Sequence, residues 1–299
     1  MQFKRIKRRV DGVLLLDKPV GFSSNQALQH AKRLYQAAKA GHTGTLDPFA
    51  TGLLPICFGE ATKFSHFLLD ADKTYQAKLQ LGVTTTTGDT EGEVVNTVEV
   101  KVSKPQLVQV LRQFVGDISQ VPPMYSALKH QGKALYEYAR AGVEIERKPR
   151  QVTIHNTDLV DFDASAAVIN VSCSKGTYIR TLGEDIGKAL GCGAHLTQLR
   201  RIETGGYDLT QSVTLEDLES LTIEQRDARL LPVDVLVQQF PQVTLDDDSI
   251  FYLCRGQAVW KSGVVPQGLL RIYTASGRFL GLGELDVDGK IAPRRLVVS

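Results

Sequence analysis

The sequence predicts an α/β protein of the α+β kind, with a large, mixed and mostly antiparallel sheet, flanking helices and a small β-rich domain at the C-terminal end. Segments with strand-like alternation and segments with helical spacing follow one another irregularly, whereas a doubly wound sheet requires regular alternation of strands and helices. After about residue 240, short apolar segments separated by glycine turns predominate. A chain of 299 residues can form one large domain and one small domain.

The first predicted elements are a strand, a turn and a helix. Residues 12–17 are mostly apolar and indicate a short buried strand, and the Pro-Val-Gly sequence at 19–21 indicates a turn. Ser23 or Ser24 would cap the helix that follows, and Gly41 lies just past its end. The residues with helical spacing on its apolar face are Leu28, Ala31, Leu34 and Ala38.

The next predicted elements are two strands, a loop and a second helix. Strict alternation over residues 75–83 predicts a half-buried strand with Tyr75 on its apolar face. The polar stretch 84–92 predicts a loop, after which residues 93–100 could supply a returning strand. Ser103 and Gln106 have the spacing of a capping box, so a helix should begin there.

A second alternating segment, residues 167–173, leads through a Ser-Lys-Gly turn into a helix over residues 179–190. The start of this helix presents free backbone N–H groups, which favour anions. Arg180 lies in the first turn, where the helix dipole disfavours a cation. This mismatch suggests that Arg180 pairs with a carboxylate or a phosphate.

The C-terminal part is predicted to consist mainly of strands, over residues 269–273, 279–285 and 290–298. Turns with glycine separate them. We therefore expect three parts of the chain: a basic N-terminal tail at 1–10, a large domain at 11–238 and a small β-rich domain at 239–299.

The overall charge argues against a surface coated for polyanions. Lys and Arg number 35 and Asp and Glu number 33, for a net charge of +2, so a nucleic-acid site would have to be a local patch. The N-terminus is one candidate, although a solvated tail is the simpler alternative. It carries five basic residues before the first acidic residue, namely Lys4, Arg5, Lys7, Arg8 and Arg9.

The cysteines and the hydropathy indicate a cytoplasmic globular protein. The four cysteines include no Cys-x-x-Cys pair, which fits neither a zinc site nor a disulfide framework, and reduced thiols are expected. The apolar segment 13–16 is too short for a signal peptide or a membrane span. The contents of 42% hydrophobic and 23% charged residues suit a protein with a sizeable core.

The most unusual segment is the loop at residues 41–52, which has the sequence GHTGTLDPFATG. Its glycines, proline and small residues predict a shaped loop. A phosphate-binding loop is one alternative, but the Gly-Lys-Ser/Thr ending is missing. A second alternative is that Asp47, which precedes a proline, only forms a turn. Likewise, His42 could be a solvated loop histidine and Tyr75 a core aromatic residue.

Four motifs together resemble the TruB-type tRNA pseudouridine-55 synthases. They are Asp17-Lys18-Pro19, the loop at 41–52, Asp72-Lys73-Thr74-Tyr75, and Ser174-Lys175-Gly176-Thr177-Tyr178-Ile179-Arg180, in that order and at similar separations. The resemblance runs from about Gly12 to Pro293-Arg294-Arg295. It implies a pseudouridine-synthase catalytic domain at 11–238 and an RNA-contacting, PUA-like domain at 239–299. A Ser at position 23, where Thr is frequent in the family, keeps the hydroxyl.

The resemblance implies a role for each site residue. Asp47 is the expected catalytic carboxylate, and Arg180 is its expected partner, because a guanidinium keeps its charge in a partly dry pocket. Tyr75 is expected to stack on the base and to move the C5 proton. The other expected substrate-binding residues are His42, which fills the space left by the flipped nucleotide, Tyr178 and Leu199, which line the pocket, and Lys18.

The expected substrate is the T-stem-loop of tRNA, whose uridine must be flipped out of the stack. Isomerisation of uridine needs no redox group, nucleotide or metal, so no cofactor is expected. We expect no protein partner and no membrane contact, and the family resemblance implies a monomer. Besides Lys18 and the basic tail, the residues expected to contact phosphate are Lys63, Lys129, Lys133, Arg294 and Arg295. The alternative function is a tRNA-binding or folding-assistance module whose catalytic role is secondary or lost, and tRNA-folding assistance could also accompany catalysis in one chain.

Overall fold

The computed structural model describes residues 7–263 and 268–297. Lys4 and Arg5 of the predicted basic tail, and the end of the last predicted strand at residue 298, lie outside this part. Every helix in the described residues is too short or too polar to span a bilayer.

The large sheet contains ten strands in the described residues. The strands are β1 (Gly12–Lys18), β2 (Ala40–His42), β3 (Thr51–Phe58), β4 (Lys73–Leu81), β7 (Gly116–Gln120), β10 (Arg150–Asp163), β11 (Ala166–Cys173), β12 (Ala194–Thr204), β13 (Tyr207–Asp208) and β14 (Val213–Thr214). Two small hairpins join β5 (Val83–Thr85) to β6 (Val94–Thr97) and β8 (Lys129–His130) to β9 (Lys133–Ala134).

The helices lie between these strands along the chain. They are α1 (Ser24–Leu34), α2 (Ser65–Leu69), α3 (Lys104–Gln113), α4 (Leu135–Arg140), α5 (Ile179–Ala189), α6 (Leu215–Ser220), α7 (Ile223–Asp227) and α8 (Asp247–Leu253). Short 3₁₀ turns occur at Gly59–Lys63, Leu209–Gln211 and Val233–Val237.

The order of the strands confirms the predicted fold class. The main path of the large sheet is β14-β1-β3-β12-β4-β11-β10-β7, with β2 paired to β3 and β13 paired to β12. Only the β1/β14 and β3/β12 pairs are parallel among these described strands, and the others are antiparallel. The sheet is therefore mixed and mostly antiparallel, as predicted.

Helix α1 begins where the sequence predicts and ends earlier. Ser23 forms a capping box with Gln26, which satisfies backbone groups at the first turn. The helix ends at Leu34, four residues before Ala38, because Gln36 adopts a positive φ of 51°. A non-glycine residue in this region interrupts helical geometry. The predicted end of the helix was therefore wrong.

The central strands alternate between buried and partly exposed residues, as the sequence pattern requires. Along β4, every second residue from Lys73 to Leu81 is buried. The predicted returning strand is confirmed in its middle part, because β6 pairs antiparallel with β5, whereas Thr84 and Thr85 of the predicted loop belong to β5. Helix α3 starts with the predicted capping box of Ser103 and Gln106. The main core lies between this sheet and the helices α1, α3, α5 and α6.

The C-terminal sheet has five strands: β15 (Gln242–Leu245), β16 (Val259–Trp260), β17 (Gly268–Thr274), β18 (Phe279–Leu285) and β19 (Lys290–Leu296). Their order is β15-β17-β18-β19-β16. This β-rich unit has its own core, which includes Leu270, Ile272 and Ile291. Leu282 instead packs with Phe64 and Leu236, so a second cluster joins the C-terminal sheet to the rest of the chain.

Candidate active site

The loop at 41–52 joins β2 to β3 and carries Asp47 shortly before the start of β3, an interior strand of the large sheet. Gly52 has a φ of 103°, and a Cβ atom there would lie 2.2 Å from the carbonyl oxygen of Arg201. Only glycine permits this approach of β3 to β12. The predicted shaped loop is therefore fixed at its end by close packing against the sheet.

Helix α1 holds the middle of the loop. The Ser24 hydroxyl accepts a hydrogen bond from the Leu46 amide at 2.8 Å and donates one to the Leu46 carbonyl at 3.0 Å. The turn after β1 adds a bond from the Gly21 amide to the Pro48 carbonyl at 2.8 Å. Asp47 lies between these two anchors, so its backbone is fixed from both sides.

Arg180 forms the predicted ion pair with Asp47, at 3.0 Å from Nε to Oδ2. The Arg180 side chain is buried, whereas the Asp47 side chain remains 34% exposed. The guanidinium also donates to the Thr87 carbonyl at 3.2 Å and to the Tyr125 carbonyl at 2.6 Å. Arg180 therefore connects the Asp47 loop to two other loops and holds the exposed carboxylate in place.

Asp89 is a second carboxylate of this site that the sequence analysis did not find. It is buried and lies 3.3 Å from Nη1 of Arg180, and it accepts a hydrogen bond from the Glu91 amide at 2.9 Å. The sequence identified only a polar loop at 84–92, and Gly88-Asp89 there has the composition of an ordinary turn. The fold alone brings Asp89 to Arg180.

The electrostatics of Asp47 result from opposing neighbours. Burial raises the pKa of the Asp47 carboxyl above its ordinary value, and the charge of Asp89 acts in the same direction. The charges of Arg180 and Lys18 lower it. The two cations therefore favour the ionised form in a pocket that disfavours it.

Tyr75 lies in β4 with its side chain in the main core. Burial raises the pKa of its hydroxyl, and the Asp47 charge raises it further, whereas Arg201 lowers it. Leu199 is buried in the same cluster, on the neighbouring strand β12, where it pairs with Ala77. Tyr75 and Leu199 thus form one apolar surface on a single face of the sheet, and the charge of Asp47 acts on the Tyr75 hydroxyl of that surface.

Tyr178 precedes helix α5 and is half-buried. Gln120 fixes its backbone: the Tyr178 amide donates to the Gln120 side chain at 3.0 Å, and that side chain donates to the Tyr178 carbonyl at 3.3 Å. Burial raises the pKa of the Tyr178 hydroxyl, and so does the charge of Asp47. The structure therefore brings Tyr178 to the carboxylate site.

His42 lies at the end of β2, at the start of the loop. Its Nδ1 atom is buried without a hydrogen-bond partner in the described residues. Burial lowers the pKa of the imidazole, and the charge of Arg201 lowers it as well, so the neutral form is favoured. His42 therefore offers a neutral ring with an unsatisfied polar atom.

Lys18 does not lie where a phosphate contact requires. Its side chain is fully buried, and its ammonium donates to the carbonyls of Pro19 at 2.9 Å and Phe22 at 2.6 Å. Burial lowers its pKa to about 8. Because the ammonium is buried and bonded to these two carbonyls, it is not available for a direct phosphate contact, and its charge acts instead on the Asp47 carboxyl.

Three of the expected phosphate contacts form ion pairs within the protein. Arg8 pairs with Asp227, Lys63 pairs with Glu60, and Arg294 pairs with Glu284. Lys129 and Lys133 lie exposed on the hairpin of β8 and β9, and Arg295 is exposed on β19. Within residues 7–263 and 268–297, no group of three His, Cys, Asp or Glu side chains is arranged to hold a metal ion.

Three family models match successive parts of the chain. Residues 32–179 match the model described as TruB family pseudouridylate synthase (N terminal domain). Residues 180–238 match that of the tRNA pseudouridylate synthase B C-terminal domain, and residues 241–297 match Pseudouridine synthase II TruB, C-terminal. These matches cover Asp47, Tyr75, Arg180 and the C-terminal sheet, whereas Lys18 precedes the first matched range.

Whole proteins show the same similarity. The tRNA pseudouridine synthase B of Methylobacillus flagellatus is 65% identical over 99% of this chain and 98% of its own length. That of Chromobacterium violaceum is 58% identical over 98% and 96%, respectively. A solved Cbf5-Nop10-Gar1 complex contains a chain with a TM-score of 0.70 and 27% identity, covering 96% of this chain and 84% of that one.

Proposed function

This chain belongs to the TruB family of pseudouridine synthases, and we propose that it isomerises the T-loop uridine at position 55 of tRNA to pseudouridine through the Asp47 carboxylate. The ion pair of Arg180 with the partly exposed Asp47 carries this proposal. Arg180 holds Asp47 in place, and the charged carboxylate next to aromatic residues can act as a nucleophile or a base. The similar proteins of two other bacteria are named for this reaction.

The reaction rearranges one nucleotide and consumes nothing else. The bond from ribose C1′ to N1 breaks, a bond from C1′ to C5 forms, and a proton leaves C5 while N1 gains one. Asp47 would act on the ribose, either by attack or by removing a proton, which requires its ionised form. Arg180 and Lys18 supply the charges that favour this form. The chemistry calls for no cofactor.

The pocket must hold the detached uracil while it turns. We assign this to the apolar surface of Tyr75 and Leu199 and to Tyr178, with Tyr75 moving the C5 proton. His42 would occupy the space left by the flipped nucleotide, since extrusion costs about a few kcal/mol. Its neutral ring and free Nδ1 support that role. Lys18 would act on the Asp47 carboxyl through its charge, which favours the ionised form.

The binding partner in this proposal is the T-stem-loop of tRNA, and the enzyme would act as a cytoplasmic monomer. The free thiols of all four cysteines support a reducing compartment. Residues 239–299 would form a separate PUA-like domain that contacts RNA outside the T-loop. The exposed Lys129, Lys133 and Arg295 supply positive charge for the same contact.

The experiment that tests this function uses an unmodified tRNA transcript with the purified protein, a chelator and no added cofactor. Pseudouridine is mapped by chemical labelling and primer extension. One new stop at the T-loop uridine is expected with the wild type, none with Asp47→Asn, and an unchanged stop with Asp288→Asn, which alters an exposed aspartate. The affinity of Asp47→Asn for tRNA should stay within about tenfold of wild type.

Two results would contradict the proposal. Retained activity in Asp47→Asn would remove the carboxylate from the mechanism. Tight tRNA binding by the wild type without any product would favour a binding or folding-assistance module instead.

A further inference from the structure

Arg201 is the largest fully buried side chain among the described residues, with 1% exposure. It lies in β12 between β3 and β4, where it pairs with Gly52 on one side and with Tyr75 on the other. Paired residues on neighbouring strands project from the same face of a sheet. A break in the strand register follows directly, between Arg201 and Glu203, and such bulges redirect side chains next to active sites.

The guanidinium of Arg201 contacts the Asp47 loop. Its Nε atom donates to the Leu53 carbonyl at 2.6 Å, and its Nη2 atom donates to the Gly44 carbonyl at 3.3 Å. Gly44 has a φ of 85°, and a Cβ atom there would lie 3.2 Å from Nη1. Glycine at this position thus allows the loop to pass close over the guanidinium.

The charge of Arg201 has no carboxylate partner in the described residues, in contrast to Arg180, which has two. Its ionisable neighbours include the cations Lys18 and Lys73, whose pKa values are both lowered to about 8 by burial first and by Arg201 among other causes. A buried guanidinium beside other cations is costly for stability. Its placement therefore points to a negative charge that is present only during the reaction.

Tyr75 is the group on which that charge can form. Tyr75 and Arg201 are paired across β4 and β12, so their side chains project side by side from one face of the sheet. The charge of Arg201 lowers the pKa of the Tyr75 hydroxyl against the effect of burial. A phenolate buried beside Asp47 would otherwise be strongly disfavoured.

We propose that Arg201 is a positioning residue for Tyr75: it orients the Tyr75 hydroxyl above the Asp47 loop and stabilises the phenolate that removes the C5 proton. This rests on the proposed isomerisation. After C1′ has bonded to C5, the Tyr75 hydroxyl gives its proton to N1 of the uracil, which leaves the phenolate. The C5–H bond then breaks, its electron pair restores the C5–C6 double bond, and the C5 proton passes to the Tyr75 oxygen. Tyr75 therefore ends the cycle as the phenol with which it began.

The test is a single-turnover measurement with Arg201→Lys on tRNA that carries either ordinary or 5-deuterated uridine in the T-loop. Lysine keeps the charge but cannot reach Leu53, Gly44 and Tyr75 with one planar group. The rate should fall by about ten- to a hundredfold with tRNA affinity nearly unchanged, which is less than the loss of a whole acid–base group because Tyr75 itself remains. The deuterium isotope effect should rise above the wild-type value, because removal of the C5 proton becomes limiting.

Arg226 supplies the matched control. It also donates only to backbone carbonyls in the described residues, at Leu218, Leu34 and Glu219, but it lies between α1, α6 and α7. Arg226→Lys should leave the isotope effect unchanged. If Arg201→Lys does not fold, Arg201→Gln, which removes the charge but keeps an amide donor, serves for the same comparison.

A double variant separates positioning of Tyr75 from support of the loop. If Arg201 acts through Tyr75, Arg201→Lys should add little to the defect of Tyr75→Phe. A slower rate with an unchanged isotope effect and additive defects would overturn the proposal and leave Arg201 as a loop support. Failure of the wild type to form pseudouridine would contradict the proposed function itself, independently of Arg201.

Discussion

The Asp47 site and the C-terminal sheet place charged side chains in opposite environments. In the C-terminal sheet, the ion pair of Arg294 and Glu284 lies on the surface, and apolar residues such as Ile272 fill the core. At the Asp47 site, Lys18, Arg180 and Arg201 are all nearly or fully buried. The first arrangement follows the usual preferences of residue types, whereas the second violates them at a cost in stability. Such violations mark the part of a chain that is selected for function.

Replacing Arg180 by lysine tests this contrast and should have the largest effect on turnover. Lysine cannot bridge Asp47, Asp89 and two carbonyls at once, so we expect turnover to fall by at least about 10²-fold. The measurement is the single-turnover rate at saturating tRNA. Arg294→Lys, in the exposed pair with Glu284, is the control and should change that rate by less than about twofold. Equal effects of the two exchanges would mean that burial does not distinguish the two regions.

The converse test removes apolar packing from the C-terminal sheet. Ile272 is fully buried in β17, and Ile272→Ala should lower the free energy of unfolding by about 2–5 kcal/mol. Denaturant titration measures this loss, and Val287→Ala, at a residue that is 95% exposed, is the control. The single-turnover rate at saturating tRNA should stay within about twofold of wild type. A large loss of that rate would show that the sheet is coupled to the chemistry.

The contrast also explains which features the sequence predicts. The strands β17, β18 and β19 follow from local alternation and glycine turns, because each residue there lies where its own chemistry favours it. The ion pair of Asp47 and Arg180 was predicted from an arginine that is poorly placed for the helix dipole and from the family resemblance. Both the C-terminal strands and the ion pair are thus predicted from residues that are close to one another in the sequence.

Other features depend on contacts between distant parts of the chain. Asp89 contacts Arg180 only because the loop after β5 folds over α5. Lys18 can be buried because its ammonium donates a hydrogen bond to the Phe22 carbonyl. The early end of α1 likewise follows from the positive φ of Gln36. None of these has a local pattern that differs from an ordinary turn or a surface lysine. The sequence therefore predicts the Asp47 loop, Arg180 and Tyr75, but it does not predict that Asp89 shares Arg180 with Asp47.

Asp89→Asn should change how the rate depends on pH. The pKa of Asp47 is raised first by burial and also by the Asp89 charge, so the ionised form is lost as the pH falls through that raised pKa. Without the Asp89 charge, the acid limb of the pH profile should move to lower pH. The plateau rate should fall by about tenfold, because Arg180 loses one charged partner.

The pH profile of single-turnover rates measures both effects, with Asp288→Asn as the control. Because Asp47 and Asp89 share Arg180, the limb reports the coupled group and not one carboxyl alone. An acid limb that moves to higher pH would contradict the proposed electrostatics.

The smallest expected effects distinguish two adjacent serines at the start of α1, the capping residue Ser23 and the first helical residue Ser24. Ser24→Ala removes both hydrogen bonds to Leu46, so the Asp47 loop should shift and turnover should fall by a few-fold, equivalent to about 1 kcal/mol. Ser23→Ala removes only the helix cap and should lower the free energy of unfolding by about 0.5–2 kcal/mol without changing turnover. Single-turnover rates and denaturant midpoints of both variants show whether turnover and stability are lost separately. If the two variants lost turnover equally, the rate would follow the stability of α1, and the hold of Ser24 on the loop would not be specific.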